Sequence, residues 1–172
     1  PVISHCFGVE LQGTRLGLSR ALSDRPRFTK TLLATIRNLV PDFYFTSVQV
    51  NLNFAALTHC HIASERMSMA VAAADYTGVE MWIRAPRGFP MSAARPPPSP
   101  AGSSMLGKVM CIKAEPTLFE GAMMHGDFPI TGGRSTLVLF TQTEYTVGGA
   151  YTPLLPSMQA RLCEIGFPAP RD

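Results

Sequence analysis

The sequence has few charged residues, and neither sign of charge is concentrated along it. Charged side chains make up 16% of the 172 residues, with 15 basic and 12 acidic residues and a net charge of +3. The basic residues are scattered, whereas nucleic-acid-binding proteins carry them in clusters or stripes. Charge alone therefore predicts no nucleic-acid partner, although the small positive excess would tolerate an anionic substrate.

Cysteine is also scarce in this chain. There are four cysteines, Cys6, Cys60, Cys111 and Cys163, and no two of them form a CxxC pair. This spacing argues against a structural zinc ribbon and against a scaffold that depends on many disulfides. It favours reduced thiols, and with them an intracellular location.

Long apolar runs are absent. No run approaches the roughly 18 residues that a membrane-spanning helix needs, and the first residues show no signal-peptide pattern. The chain begins at Pro1 without a methionine, as a processed or trimmed chain would. Its length and its 46% hydrophobic content predict one globular domain over residues 1–172 and no membrane partner. Residues 86–107, rich in Pro, Ser, Gly and Ala, predict a flexible insert within that domain.

The stretch LSDRPRFTKTLLATIRNLVP predicts a helix near the N-terminus. Ser23 or Asp24 can cap its start, Pro26 suits its first turn, and Pro41 would stop it. Between these residues the apolar side chains recur at helical spacing: Phe28, Leu32, Leu33, Ile36, Leu39 and Val40. A second, short helix is expected near the C-terminus in PLLPSMQARLCEIGF.

Most other segments have the composition and alternation of β-strands. These segments are FYFTSVQVNLNF, MSMAVAAADY, VEMWIRA, KVMCIKAE and RSTLVLFTQTE, with CFGVELQG as a further edge strand. One early helix followed by many short strands predicts a mainly β (α+β) fold. We expect an antiparallel sandwich or barrel with an N-terminal supporting helix on one face.

Two of the four histidines stand one residue apart, in the sequence THCHI. On a β-strand, residues i and i+2 point to the same face about 6.5–7 Å apart, so His59 and His61 would converge while Cys60 faces away. Neutral imidazoles in this arrangement suit a metal ion. The alternative is a polar strand face near the edge of a sheet.

A third histidine and an arginine follow together in LFEGAMMHGDFPITGGRSTLVLFT. His125 lies after a turn, and Arg134 stands nine residues later at the head of a strand. If Arg134 points inward it needs an anionic partner, because a buried and unpaired guanidinium is costly. If it points outward it is a solvated strand end.

Together these segments resemble the Fe(II)/2-oxoglutarate-dependent oxygenases, and in particular compact members of the ten-eleven-translocation/J-binding-protein-like or prolyl-hydroxylase-like branches. FTSVQVNLNFAALTH is similar to the strand that leads into their metal motif, and ADYTGVEMWI is similar to their hairpin. The segment around His125 and Arg134 is similar to the one that carries their second metal-binding histidine and a basic residue. The resemblance runs from about Phe45 to Thr141 and implies a double-stranded β-helix, or jelly roll.

The resemblance also implies roles for individual residues. His59, His61 and His125 would hold Fe(II), or zinc, and Arg134 would bind the far carboxylate of 2-oxoglutarate. The co-substrate site would extend to a small set of polar residues, Asn51, Asn53 and Ser68.

These polar residues also have ordinary structural interpretations. Either asparagine can simply end a strand, and the hydroxyl of Ser68 can bond to the backbone. Tyr76 and Trp82, on the hairpin, are expected to pack in the core and not to stack on a substrate.

The sequence departs from the family pattern after the first histidine. His61 stands where the family has a carboxylate, and Ser64 and Arg66 stand where compact members often have Asn and Gly. Three neutral imidazoles leave a ferrous site at a charge of about +2 instead of +1. They also suit zinc, and a three-histidine zinc site with an open position can generate hydroxide near neutral pH.

Three functions follow from these observations. The first is a non-haem metal-dependent oxygenase that oxidises or hydroxylates a substrate with 2-oxoglutarate and O₂. The second is a repurposed jelly roll that serves as a binding or assembly module, and the third is a three-histidine zinc enzyme. A protein side chain, a nucleic-acid base and a small molecule all remain open as substrates.

Overall fold

A computed structural model describes residues 2–61, 67–73, 75–77, 80–84, 107–147 and 150–170. Ser64 and Arg66 lie outside the described residues, as does the insert predicted at 86–107 except for Gly107, which begins a strand. Within the described part, no helix is both long enough and apolar enough to cross a membrane.

Three helices are described: α1 (Arg20–Asp24), α2 (Pro26–Leu39) and α3 (Pro156–Ile165). Helix α2 confirms the predicted N-terminal helix, with Pro26 in its first turn. The predicted side-chain cap is wrong, because Ser23 and Asp24 belong to α1 and Arg25 takes the N-cap position without a side-chain bond. The proline suits this start because its missing N–H would have had no partner in the helix.

The described strands are, in chain order, β1 (Ile3–Gln12), β2 (Arg15–Leu18), β3 (Ser47–Leu52), β4 (Met67–Ala73), β5 (Tyr76–Thr77), β6 (Glu80–Arg84), β7 (Gly107–Cys111), β8 (Thr117–Glu120), β9 (His125–Asp127), β10 (Thr131–Gly132), β11 (Ser135–Phe140), β12 (Glu144–Val147) and β13 (Ala150–Pro153). Strands β3, β4, β6 and β11 lie within the predicted β-segments, and β7 begins one residue before its predicted segment, at Gly107. The composition and turn signals of these segments therefore located the main strands.

The main sheet has six antiparallel strands in the order β2-β1-β3-β11-β4-β8. Strand β1 pairs with β2 on one side and with β3 on the other, so the expected edge strand in CFGVELQG is an internal one. The alternation of a strand shows which face is buried but not how many neighbours it has. A smaller antiparallel sheet has the order β7-β6-β9.

The two faces of the main sheet have different partners. On one face, Val48 and Leu139 belong to the same core cluster as Leu33 and Ile36 of α2 and Leu162 of α3. On the other face, Ala70 and Ala72 of β4 belong to a cluster with Met81 and Ile83 of β6. The small sheet therefore packs on the face opposite the helices.

Two facing antiparallel sheets with a helix behind the larger one confirm the predicted mainly β jelly roll with its supporting helix. Trp82 is fully buried, and a Cβ added to Gly107 on the neighbouring strand would overlap its indole ring. Trp82 therefore packs in the protein interior as expected, whereas the side chain of Tyr76 lies outside the described residues.

Candidate metal centre

The segment between β3 and His59 leaves the main sheet through a turn at Asn53. This residue has a φ of +52°, in the left-handed region that asparagine tolerates better than most residues. Its side-chain oxygen accepts the backbone N–H of Arg134 at 2.9 Å, and its own N–H donates to the carbonyl of Arg134 at 2.8 Å. The start of the segment is thereby fixed to the head of β11.

His59 lies directly opposite His125 in an isolated antiparallel bridge. Each backbone N–H donates to the carbonyl of the other residue at 2.8 Å. Residues 59–61 do not form the regular strand expected from the sequence, apart from this bridge. Because directly opposed residues point to the same face, the bridge places two imidazoles side by side.

His61 completes a cluster of three imidazoles. One ring nitrogen from each of His59, His61 and His125 lies within 4.8 Å of the other two. The Nε2 atoms of His59 and His61 are 3.1 Å apart, and the ring centroids of His59 and His125 are 4.5 Å apart. The predicted set of three histidines is therefore brought together at one point.

Backbone carbonyls orient two of the three rings. Nδ1 of His59 lies 2.7 Å from the carbonyl oxygen of Leu57, and Nδ1 of His125 lies 2.7 Å from that of Met123. Only a protonated Nδ1 can donate to a carbonyl, which leaves Nε2 of each ring as the free lone pair. This is the common way in which proteins orient histidines that bind metals.

Burial keeps two of the rings uncharged. Desolvation lowers the pKa of His61 to about 3, with smaller effects of the same sign from His125 and His59. Desolvation likewise lowers the pKa of His125 to about 4, against the opposing effects of its bond to Met123 and of the charge on Asp127. Both imidazoles are thus neutral at pH 7, as metal binding requires.

The donor set fits a divalent transition metal. Two imidazole nitrogens at about 2.1 Å from one ion are about 3.0 Å apart at a right angle and about 3.4 Å apart at a tetrahedral angle. The 3.1 Å between Nε2 of His59 and Nε2 of His61 falls in this range. Three nitrogen donors suit Fe(II), zinc and related ions better than magnesium or calcium, which prefer oxygen.

The three imidazoles lie on the wall of a cavity of about 710 Å³ between the two sheets. Its main-sheet wall includes Ser4, Gln49, Asn51, Ala70, Thr136, Val138 and Phe140, and its small-sheet wall includes Met81, Gly126 and Asp127. The volume falls in the range of small-molecule sites. Cys60 also lines the cavity, whereas the spacing on a regular strand placed it on the opposite side.

Arg134 is buried, with 1% of its side chain exposed, and has an acidic partner. Its Nη2 donates to Asp127 at 2.8 Å and to the carbonyl of Phe54 at 2.6 Å. Nε and Nη1 have no partner among the described residues. The arginine does not itself line the cavity, but Asp127 does. The side chain of Arg134 therefore points into the protein interior, and three of its five N–H groups have no partner among the described residues.

Asp127 and Thr136 are site residues that the sequence interpretation missed. Asp127 is the i+2 neighbour of His125, and Thr136 is the i+2 neighbour of Arg134, so strand alternation places each pair on one face. That spacing was the available signal. Thr136 is 3% exposed and lines the cavity, and its hydroxyl has no partner within the described residues.

The other predicted polar residues are spread around the site. Asn51 is buried, lines the cavity and accepts a hydrogen bond from Ser4 at 2.7 Å. Asn53 bonds to the backbone of Arg134 and is not among the cavity-lining residues. Ser68 is fully buried on β4 and also lies outside the cavity lining.

Two solved structures resemble this chain. One is NgTET1 in complex with 5mC DNA, with 15% identity and a TM-score of 0.49 over 81% of this chain. The other is YcfD, a ribosomal oxygenase from Escherichia coli, in complex with cobalt and succinic acid or 2-oxoglutarate, with 11% identity and a TM-score of 0.41 over 95% of this chain. The chain spans 60% and 54% of the lengths of these two structures.

No protein-family model and no curated protein matches the chain. With identities of at most 15% and TM-scores below 0.5, these two resemblances do not indicate the activity of this chain. Function therefore has to be inferred from the site itself.

Proposed function

We propose that this protein is a non-haem, metal-dependent oxygenase-like enzyme that oxidises or hydroxylates a substrate with 2-oxoglutarate and O₂. The observation that carries the proposal is the cluster of three imidazole nitrogens within 4.8 Å of one another, on the wall of a cavity of about 710 Å³. His59, His61 and His125 would hold Fe(II). The ion would supply the redox chemistry and the coordination positions for the co-substrate and O₂.

The role of the protein is to present three neutral nitrogens toward one point. The carbonyls of Leu57 and Met123 hold the Nδ1–H groups of His59 and His125, so their Nε2 lone pairs are available without further proton loss. Rotation of the rings would bring the three nitrogen–nitrogen distances to the values expected for ligands of one metal ion.

Arg134 and Thr136 carry unpartnered hydrogen-bond donors beside the cavity: Thr136 lines it, and Arg134 contacts the lining residue Asp127. The arginine has unpartnered Nε and Nη1 groups and the threonine has an unpartnered hydroxyl, counted over the described residues. Both lie on one face of β11 and its head, as their i+2 spacing requires. Removing the guanidinium with Arg134→Met should weaken 2-oxoglutarate binding by roughly 2–5 kcal/mol.

The total charge of the site is also compatible with a dianionic co-substrate. Asp127 and Arg134 contribute −1 and +1, and imidazoles that bind a metal ion do so in their neutral form. The protein groups therefore sum to zero, as they would with a carboxylate among the metal ligands and an unpaired arginine. His61 stands where the family pattern has a carboxylate, and the negative charge of Asp127 compensates for the charge that is missing there.

The experiment is a metal analysis together with a turnover assay. Protein purified without added metal should contain iron or zinc, and with Fe(II) it should convert 2-oxoglutarate to succinate. His125→Gln should abolish both properties, whereas His5→Gln, which removes the one exposed histidine outside the cluster, should preserve them. A wild-type chain that binds no divalent metal at micromolar excess would refute the proposal and favour a repurposed binding module.

A three-histidine zinc enzyme is the second candidate, and the donor set itself favours it. Three neutral imidazoles with an open position are a known way to lower the pKa of zinc-bound water. The discriminating result would be bound zinc, with hydrolase or lyase activity that does not consume 2-oxoglutarate. The substrate under either function remains a protein side chain, a nucleic-acid base or a small molecule.

A further inference from the structure

Asp127 connects strand β9 to the segment that leads to His59. Its Oδ2 accepts the backbone N–H of Ala56 at 2.9 Å and Nη2 of Arg134 at 2.8 Å. Its own backbone N–H donates to the carbonyl of Ala56 at 3.0 Å. The strand that carries His125 is therefore bonded, two residues further on, to the chain that carries His59.

Arg134 holds the same segment from the other side. Its Nη2 donates to the carbonyl of Phe54 at 2.6 Å, and its backbone exchanges hydrogen bonds with Asn53 at 2.9 and 2.8 Å. The segment of residues 53–56 is thus bonded to β9 through Asp127 and to the head of β11 through Arg134. The ion pair between these two residues closes the network.

The metal centre depends on the position of this segment. His59 is three residues beyond Ala56, and its bridge to His125 sets the spacing of two imidazoles. Metal–ligand distances must hold to within about 0.2 Å. A displacement of the segment that is small enough for the fold to tolerate can therefore still exceed the tolerance of the metal–ligand distances.

We propose that Asp127 is a positioning residue for the three-histidine centre. Its carboxylate keeps the segment of residues 53–56 in register with β9, so that His59 and His61 meet His125 at the separation a metal ion needs. The inference rests on the proposed metal-binding function. Groups that orient ligands without touching the metal change its affinity by about 10- to 100-fold when they are removed.

Asp127→Asn tests the proposal, because it removes the charge that both Arg134 and the N–H of Ala56 bind at Oδ2 and leaves a neutral amide oxygen, a weaker acceptor, in its place. The probe is Co(II), whose visible spectrum reports coordination number and geometry. We expect the Co(II) dissociation constant to rise by about 10- to 100-fold and the absorption bands to shift in position or intensity. The matched control is Asp24→Asn, which removes an aspartate from an exposed ion pair with Arg20 and should change neither quantity.

A second readout uses the metal-free protein. Hydrogen exchange at the amides of Ala56, His59 and His125 should become faster in Asp127→Asn than in the wild type, while the amides of α2 keep their protection. If Asp127 served stability alone, exchange would accelerate throughout the chain, and the cobalt spectrum of the folded fraction would equal that of the wild type. That result would overturn the proposal.

Failure of the proposed function and failure of this inference give different results. A wild-type chain that binds no Co(II) refutes the metal site, and the exchange rates of the three amides then decide on their own whether Asp127 positions the histidines. If Asp127→Asn does not fold, the double variant Asp127→Asn/Arg134→Met removes both charges together. This variant should fold and show the weakened Co(II) binding, and wild-type Co(II) affinity in it would refute the inference.

Discussion

Replacing Arg134 by methionine gives the sharpest test of the buried ion pair. The guanidinium has 1% of its surface exposed and contacts an aspartate that is itself 11% exposed. Arg134→Met fills much of the same volume but leaves the carboxylate of Asp127 without its cationic partner. An unpaired buried charge is among the few defects that destabilise a protein by several kcal/mol.

The magnitude follows from the contacts. Breaking a buried ion pair by removing one partner costs about 3–5 kcal/mol. Asp127 retains slight exposure and the N–H of Ala56, which places the expected cost toward the lower end of that range. Loss of the bond to the carbonyl of Phe54 adds about 1 kcal/mol. We expect the free energy of unfolding, measured in urea, to fall by about 4 kcal/mol.

The double variant Arg134→Met/Asp127→Asn separates charge from packing. Because neither charge remains, it should be more stable than Arg134→Met alone by about 2 kcal/mol. The control is Arg161→Met, which breaks an exposed pair with Glu164 and should cost less than about 1 kcal/mol. If Arg134→Met is no more destabilising than this control, the ion pair does not stabilise the fold in the way described.

Three further predictions concern the imidazoles and the core. The pKa values of His61 and His125 lie below that of an unfolded histidine, so the unfolded chain takes up protons first as the pH falls from about 6.5 toward 4. The free energy of unfolding should therefore drop by about 2–4 kcal/mol between pH 7 and 5. Equal stability at both pH values would contradict this. His61→Asp should lower metal-dependent activity because the shorter carboxylate retreats from the ion, and a gain in succinate formation would instead indicate a lost oxygenase. Gly107→Ala should destabilise the fold by about 1–3 kcal/mol through overlap with Trp82, and an unchanged urea midpoint would refute that packing.

Local patterns in the sequence determined the elements of this fold. The spacing of apolar residues and Pro26 predicted α2, because a helix must present one apolar stripe to the core. β-type composition and flanking turn signals predicted β4, β6, β7 and β11, and period-2 alternation together with β-branched and aromatic residues predicted β3. Both signals are contained in a few neighbouring residues, and no tertiary contact is needed to read them.

The composition of the candidate site was also present in the sequence, whereas its connections were not. The i, i+2 spacing singled out His59 and His61, the resemblance to the oxygenase family added His125 and Arg134, and the three histidines meet within 4.8 Å. The partner of the arginine was not predicted. Asp127 lies seven residues before Arg134, beyond a turn, and whether the two side chains meet depends on how β9 and β11 are placed by different sheets.

Only the tertiary structure decided how the strands pair and what the buried charges contact. β1 was expected at an edge and lies inside the sheet, because the number of its neighbours depends on distant parts of the chain. The bridge between His59 and His125 joins two residues that are 66 positions apart in the sequence. Strand pairing is made by backbone N–H and carbonyl groups, which nearly all residues share, so the identity of the side chains does not specify which strands pair. A buried charge must find a partner, but the sequence alone does not state which one the fold will supply.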